Sequence, residues 1–289
     1  MAITFRKLHL VRMALACALF LFTASALAAQ STPPPSRADV VYGTADGKDL
    51  LLDIYMPPGV ERPPLVVWIH GGAWRNGTKA QVPAIFVENG FATASLDFRQ
   101  STEARFPAAV HDIKAAIRFL RANADRYGYA VDRVAVAGSS SGAHYAALVG
   151  VTAGERALEG DIGDHLDQSS RVEAIVTILE QSTPFGLGVR EPALELLLGS
   201  LPDADQELAE LASPVFHVDS GDPPLLLLHG DQDPQMPINQ AHELEGAYGK
   251  LGLDVTFHVV HGAAHGGSAF YESHARDEAL AFLRRTLGR

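Results

Sequence analysis

Three positions in this sequence carry the side chains that nucleophilic chemistry needs. Ser140 sits inside Gly138-Ser139-Ser140-Ser141-Gly142, a G-x-S-x-G frame. Two carboxylates, Asp231 and Asp233, follow the apolar run 225–228, and His265 lies in the stretch His261-Gly262-Ala263-Ala264-His265-Gly266-Gly267. A serine hydroxyl is a weak nucleophile at neutral pH. It needs a base within hydrogen-bond reach and a third group that orients the base. Glycine and serine are also ordinary loop composition, so the pentapeptide alone fits a plain polar loop equally well. The surrounding elements decide between the two.

Residues 134–137 (VAVA) have the length and branched content of a buried strand, and the alanine-rich stretch after Gly142 favours a helix. Ser140 would then stand alone on a strained turn, where the two glycines let strand and helix pass closely. A helix starting at Ser141 would point its first amides, Ser141 among them, at whatever Ser140 attacks. Upstream, the apolar run 65–69 ends in His70-Gly71-Gly72-Ala73-Trp74. Adjacent glycines after a strand let the main chain aim N–H groups at a ligand, although a simple Gly-Gly turn reads the same way. His70 would bond that loop, and His144, one turn past Ser140, would pack or line a pocket.

The histidine can be chosen by position. His258 falls within the apolar stretch 254–260 and His261 at its very end, whereas His265 has glycines beyond it and room to lean over Ser140. Asp231 and Asp233 both follow their strand, and an aspartate in a turn often bonds loop backbone instead. Apolar runs at 65–69, 91–96, 134–137, 172–179, 225–228 and 254–260 alternate with helical stretches, the best of them opening at Pro107. In that helix Val110, Ile113, Ile117, Leu120 and Ala124 form one stripe, with Lys114, Arg118 and Arg121 on other faces. The alternation implies an α/β domain with a mostly parallel sheet flanked by helices. A hairpin over 40–55, turning at Ala45-Asp46-Gly47-Lys48, precedes it. The three side chains would fall at successive strand ends on one edge of the sheet, where open α/β sheets place their sites. Residues 180–222 break the pattern with repeated Pro and Gly, as a cap-like insert or as surface elaboration. A final helix is expected over about 269–287.

The 289 residues are 47% hydrophobic and 20% charged, an ordinary globular composition. Arg6, Lys7 and Arg12 precede an apolar run over 13–22, and Ala26-Leu27-Ala28 offers small residues for cleavage, so residues 1–28 read as a signal peptide. The run is too short for a stable membrane span. A secreted or periplasmic protein is the expectation, with a Pro/Ser-rich tether over 29–38 and the folded domain over 39–289. Cys17 is the single cysteine, so no disulfide can form after cleavage. Residues 29–289 carry 20 basic and 34 acidic side chains, a net of −14 that would repel phosphate backbones and argues against nucleic acid as partner. No cofactor or metal is inferred. His261 and His265 have helical ligand spacing, but Gly262 and Gly266 oppose a helix there. Asp231-x-Asp233 fails as a calcium loop, with Met236 and His242 where glycine and glutamate belong.

The segments WIHGGAWRNGTKA, SLDFRQSTEARFPAAVHDIKAAIRFLRANADRYG, VAVAGSSSGAHYAAL, LLLLHGDQDPQMPINQ and HGAAHGG together resemble α/β-hydrolase esterases related to hormone-sensitive lipase. More closely, they resemble the BD-FAE-like carbohydrate and feruloyl esterases. The likeness runs from about residue 50 to the C-terminus. It implies the α/β-hydrolase fold and a small-molecule ester as substrate. It also implies Ser140 as nucleophile, His265 and Asp233 as its partners, and the amides of Gly72, Ala73 and Ser141 as an oxyanion hole. A serine peptidase or amidase would use the same groups. A non-catalytic binding module of this fold would lack one of them.

Overall fold

The computed structural model describes residues 32–179, 182–183 and 191–288. The expected signal peptide, the start of the tether and part of the insert lie outside these. Two β-strands open the domain, β1 (Arg37–Ala45) and β2 (Lys48–Tyr55). Ala45 pairs with Lys48 across Asp46 and Gly47, whose φ angles of 52° and 76° give the two-residue hairpin the sequence suggests. β1 starts at Arg37, inside the expected tether, because Ser36 and Asp39 are already bonded to β2 and its end: the Ser36 hydroxyl accepts from the Met56 amide, and the Asp39 amide donates to Asp53.

The chain then alternates. β3 (Leu65–Ile69), α1 (Ile85–Glu88), β4 (Ala92–Leu96), α2 (Ala108–Ala122), α3 (Ala124–Tyr127), β5 (Val134–Ser139), α4 (Ser141–Val151), α5 (Arg156–Glu159) and β6 (Ala174–Ile178) follow in order. α6 (Glu191–Leu198) and α7 (Gln206–Leu211) lie in the insert; β7 (Leu225–Gly230), α8 (Asn239–Leu251), β8 (Val255–Val260) and α9 (Ser273–Leu287) complete the chain. The expected last helix is shorter at its start: a 3₁₀ turn over Ser268–Phe270 precedes α9.

All eight strands form one sheet in the order β1-β2-β4-β3-β5-β6-β7-β8, with β2 alone running against the others. The inner strands β3, β4, β6 and β7 are buried along their whole length because both faces are covered. Val67, Val136, Ile175 and Leu227 face a core with α2, α4 and α8, while Val66, Ala135, Val176 and Leu226 face α1 and α9. Every residue of α4 is buried, as its apolar composition on all sides requires.

On α2, Lys114 and Arg118, off the apolar stripe, are buried as well, under the segment after α4, where Glu159 pairs with each at 2.9 and 3.0 Å.

Candidate active site

Ser140 links β5 to α4 with φ 56° and ψ −125°, a conformation that L-residues adopt only when their surroundings impose it. Its amide donates to the Ile178 carbonyl of β6 at 2.9 Å, and its carbonyl accepts from the Ala143 and His144 amides. The glycine frame has the expected cause for Gly138 and a different one for Gly142. A Cβ at 138 would lie 2.1 Å from the Gly142 carbonyl oxygen, so strand and helix do meet there. A Cβ at 142 would instead lie 2.1 Å from the Ile69 carbonyl oxygen, because α4 presses on the end of β3.

His265 comes from the loop after β8, three strands from β5, or about 14 Å at the usual strand spacing. The glycine-rich loop brings it back across the sheet end. Its Nε2 lies 2.8 Å from Ser140 Oγ, and its Nδ1 lies 2.7 Å from Asp233 Oδ2. Nδ1 facing a carboxylate carries the proton, which leaves the Nε2 lone pair to accept from the serine hydroxyl. The three strand ends are not successive, since β6 stands between β5 and β7. β6 contributes Leu179, just past its end, to the pocket beside Ser140.

The Asp233 side chain is fully buried. Burial opposes its charge, yet hydrogen bonds from His265 and from the Met236 and Gln235 amides outweigh that and hold its carboxyl below the usual carboxylate range. Asp231, the rival, bonds His261 at 2.9 Å and the Gly262 amide at 2.7 Å. That leaves it the role of a loop brace. His258 is in β8, and its ring meets His274 at 4.7 Å rather than anything near Ser140.

The loop after β3 lies over the serine. Gly72, Ala73 and Trp74 have φ values of 138°, 54° and 61°, and the Arg75 and Asn76 amides close a turn on the Gly72 carbonyl. His70 braces it as expected: Nδ1 donates to the Gly71 carbonyl at 2.8 Å and the ring stacks on Phe98 at 4.6 Å. Burial pushes its pKa down. Gly72, Ala73, Arg75, Asn76, Ser139, Ser140, Leu179, His265 and Gly266 line one pocket of about 330 Å³. The Ser141 side chain is buried, and its amide is the first of α4, without a carbonyl partner inside the helix. Sequence reasoning gave no role to His229. That residue is buried on β7, donates from Nε2 to the Met236 carbonyl at 2.8 Å and lies 3.8 Å from Asp233. Only its place directly before the Gly230-Asp231 turn hinted at it.

Among the described residues no helix is long and apolar enough to cross a membrane, and no group of three or more ligating side chains is arranged to hold a metal ion.

The chain is similar to several known proteins. Esterase LipC of Mycobacterium tuberculosis is 32% identical over 219 residues, covering 71% of this chain and 53% of LipC. Esterase LipQ of the same organism is 30% identical over 230 residues, 73% of this chain and 52% of LipQ. The chain thus spans about half the length of these curated relatives. Among solved structures, a truncated carbohydrate esterase from gut microbiota superposes with a TM-score of 0.83 at 29% identity, over 90% of this chain and 99% of that one. Thermogutta terrifontis esterase 2, phosphoramylated by tabun, gives 0.71 at 26% identity, over 89% and 96%. The fold is therefore the α/β-hydrolase fold that the sequence resemblance implied. With the BD-FAE profile matching residues 52–248, well over half its length, the chain belongs to the BD-FAE family.

Proposed function

We propose that this chain is a serine hydrolase that cleaves carboxylic esters through a Ser140-His265-Asp233 acyl-enzyme mechanism. The observation that carries the reading is the unbroken pair of short contacts, 2.8 Å from Ser140 Oγ to His265 Nε2 and 2.7 Å from His265 Nδ1 to Asp233. His265 takes the hydroxyl proton at Nε2 as Ser140 Oγ bonds to the acyl carbon. The carbonyl oxygen becomes an oxyanion held by the amides of Gly72, Ala73 and Ser141, and Asp233 stabilises the imidazolium. Collapse breaks the bond to the alcohol oxygen, which leaves with the proton from Nε2. Water then repeats the cycle on the acyl-enzyme and returns the serine.

The esterase names of LipC, LipQ and the gut carbohydrate esterase support the choice of esters over amides. The basic and then apolar start of the sequence supports export to a periplasm or the medium; N-terminal sequencing of the secreted protein should begin near Ala29.

The mechanism is tested with a fluorophosphonate, followed by peptide mass mapping, beside a panel of aryl esters of rising acyl length and a peptide anilide. Expected are one adduct on Ser140, none in Ser140→Ala, and loss of ester turnover on the order of 10⁵–10⁶ in that variant. Folded wild-type protein with no adduct on Ser140 would overturn the reading, as would preference for the anilide over every ester.

A further inference from the structure

His144 does not line the pocket that holds Ser140. It is buried, with 1% of its surface exposed, one turn along α4 from the nucleophile. Both ring nitrogens are used. The Trp74 indole N–H donates to Nδ1 at 3.1 Å, and Nε2 donates to the Ala212 carbonyl at 2.6 Å. One nitrogen accepting and the other donating defines the neutral Nε2–H tautomer. Burial pushes the pKa down to about 4, so this form persists through neutral pH. The Trp74 ring also meets His144 edge to face, with centroids 5.9 Å apart at 83°.

The partners are what give this histidine meaning. Trp74 ends the run of three residues with left-handed φ in the loop over the serine, and such backbone keeps its shape only where neighbours hold it. The Trp74 carbonyl accepts from the Ser101 amide on one side, and its indole is held by His144 on the other. Ala212 follows α7, in the insert. One imidazole therefore joins the glycine loop, the helix that carries the nucleophile, and the insert.

We propose that His144 is a positioning residue: its neutral imidazole fixes the 71–75 loop to α4 and to the end of α7, so that the Gly72 and Ala73 amides stand where the oxyanion forms. This rests on the esterase reading of the same site. A displacement of about 1 Å at such donors can lower a rate on the order of 100-fold without weakening ground-state binding.

The test compares His144→Phe, His144→Asn and Trp74→Phe on a short aryl ester, with active sites counted by fluorophosphonate titration. His144→Phe removes both hydrogen bonds, Trp74→Phe removes the indole donor from the other end, and His144→Asn keeps an acceptor near the place of Nδ1. Expected is a fall in kcat per titrated site of about 10–100-fold for both phenylalanine variants, with KM within about two-fold. His144→Asn should recover most of the loss, and the double variant should be no slower than the worse single one. Counting active sites separates a smaller folded fraction from a slower enzyme, and Trp74→Phe probes the same bond should His144→Phe fail to fold. The proposal is overturned if Trp74→Phe keeps kcat within two-fold of wild type, if His144→Asn is as slow as His144→Phe, or if KM alone changes. Absence of a Ser140 adduct in wild-type protein would instead remove the esterase reading beneath it.

Discussion

Asp233 faces Nδ1 of His265, and its charge survives burial because three donors converge on it. Asp233→Asn keeps the shape and offers the wrong hydrogen-bond partner to Nδ1, so kcat should fall on the order of 10⁴ with KM little changed. The same carboxylate shapes stability. Its folded-state pKa is depressed, so its contribution is present above the unfolded value of about 3.9 and is lost as pH falls through the lower folded value. Denaturant melts from pH 6 down to pH 2 should therefore show a shallower acid loss in Asp233→Asn than in wild type; parallel curves would contradict the assignment. Ser140 and His265 were legible in the sequence because glycines mark them out. The choice between Asp231 and Asp233 was not legible from the residues, since both sit in one turn. It depends on which faces the His265 loop and which meets His261 and Gly262, a matter of how β7 and β8 pair. His229 was hidden for a related reason: its partner is a carbonyl in the turn beyond it, and a backbone acceptor leaves no trace in residue type.

At the level of elements, α2 shows where periodicity stops being informative. Its apolar stripe predicts the helix and the face it buries, and Val110, Ile113, Ile117 and Leu120 are all fully buried. Lys114 and Arg118 stand beside that stripe, and the pattern says nothing of what covers them. In the structure the chain after α4 returns over them: Glu159 accepts from both, Lys114 also bonds the Thr152 carbonyl, and Ser170 and the Gly154 amide donate to the same carboxylate. Burial pushes the Lys114 pKa down while Glu159 works against that. Removing one partner of a buried ion group leaves charge without compensation, at a cost of about 3–5 kcal/mol. Glu159 is a quarter exposed, which places Glu159→Ala near the low end. Its Tm should fall by roughly 6–12 °C, at about 2–4 °C per kcal/mol for a domain of this size. Kinetic constants per titrated active site should not move, since no atom of this cluster lines the pocket. A Tm within about 2 °C of wild type would show that water replaces the carboxylate there. Gly142 makes the complementary case. Gly142→Ala needs the end of β3 to give way, an overpacking cost of about 1–3 kcal/mol, and here ester turnover should fall together with Tm because β3 leads into the glycine loop.

Across the whole domain, the alternation of strands and helices fixed the class of fold and the edge that bears the site. The insert stayed ambiguous because short helices broken by Pro and Gly suit a cap and a surface loop alike. Its described residues are fastened to the body at defined points. Gln240 of α8 is buried and accepts with Oε1 from the Ser182 and Thr183 amides at 3.1 and 3.0 Å. The Ser182 carbonyl accepts from the Val215 amide, and Ser213 Oγ donates to Thr183 Oγ1 at 3.2 Å, so residues 213–215 are tied to the segment that this glutamine holds. Leu179, three residues before Ser182, is a wall of the pocket. Gln240→Leu has nearly the volume of glutamine but leaves two buried amides without their acceptor, at about 1–3 kcal/mol each. The cheapest relief is for residues 182 and 183 to move toward water, drawing Leu179 with them. Limited proteolysis of Gln240→Leu should then cut first between 180 and 222, earlier than in wild type. KM for short aryl esters should rise severalfold while kcat per titrated site stays within about three-fold, because the contacts among Ser140, His265 and Asp233 do not pass through α8. Unchanged cleavage together with unchanged KM would mean that the insert is held by its packing and that Gln240 only fills space.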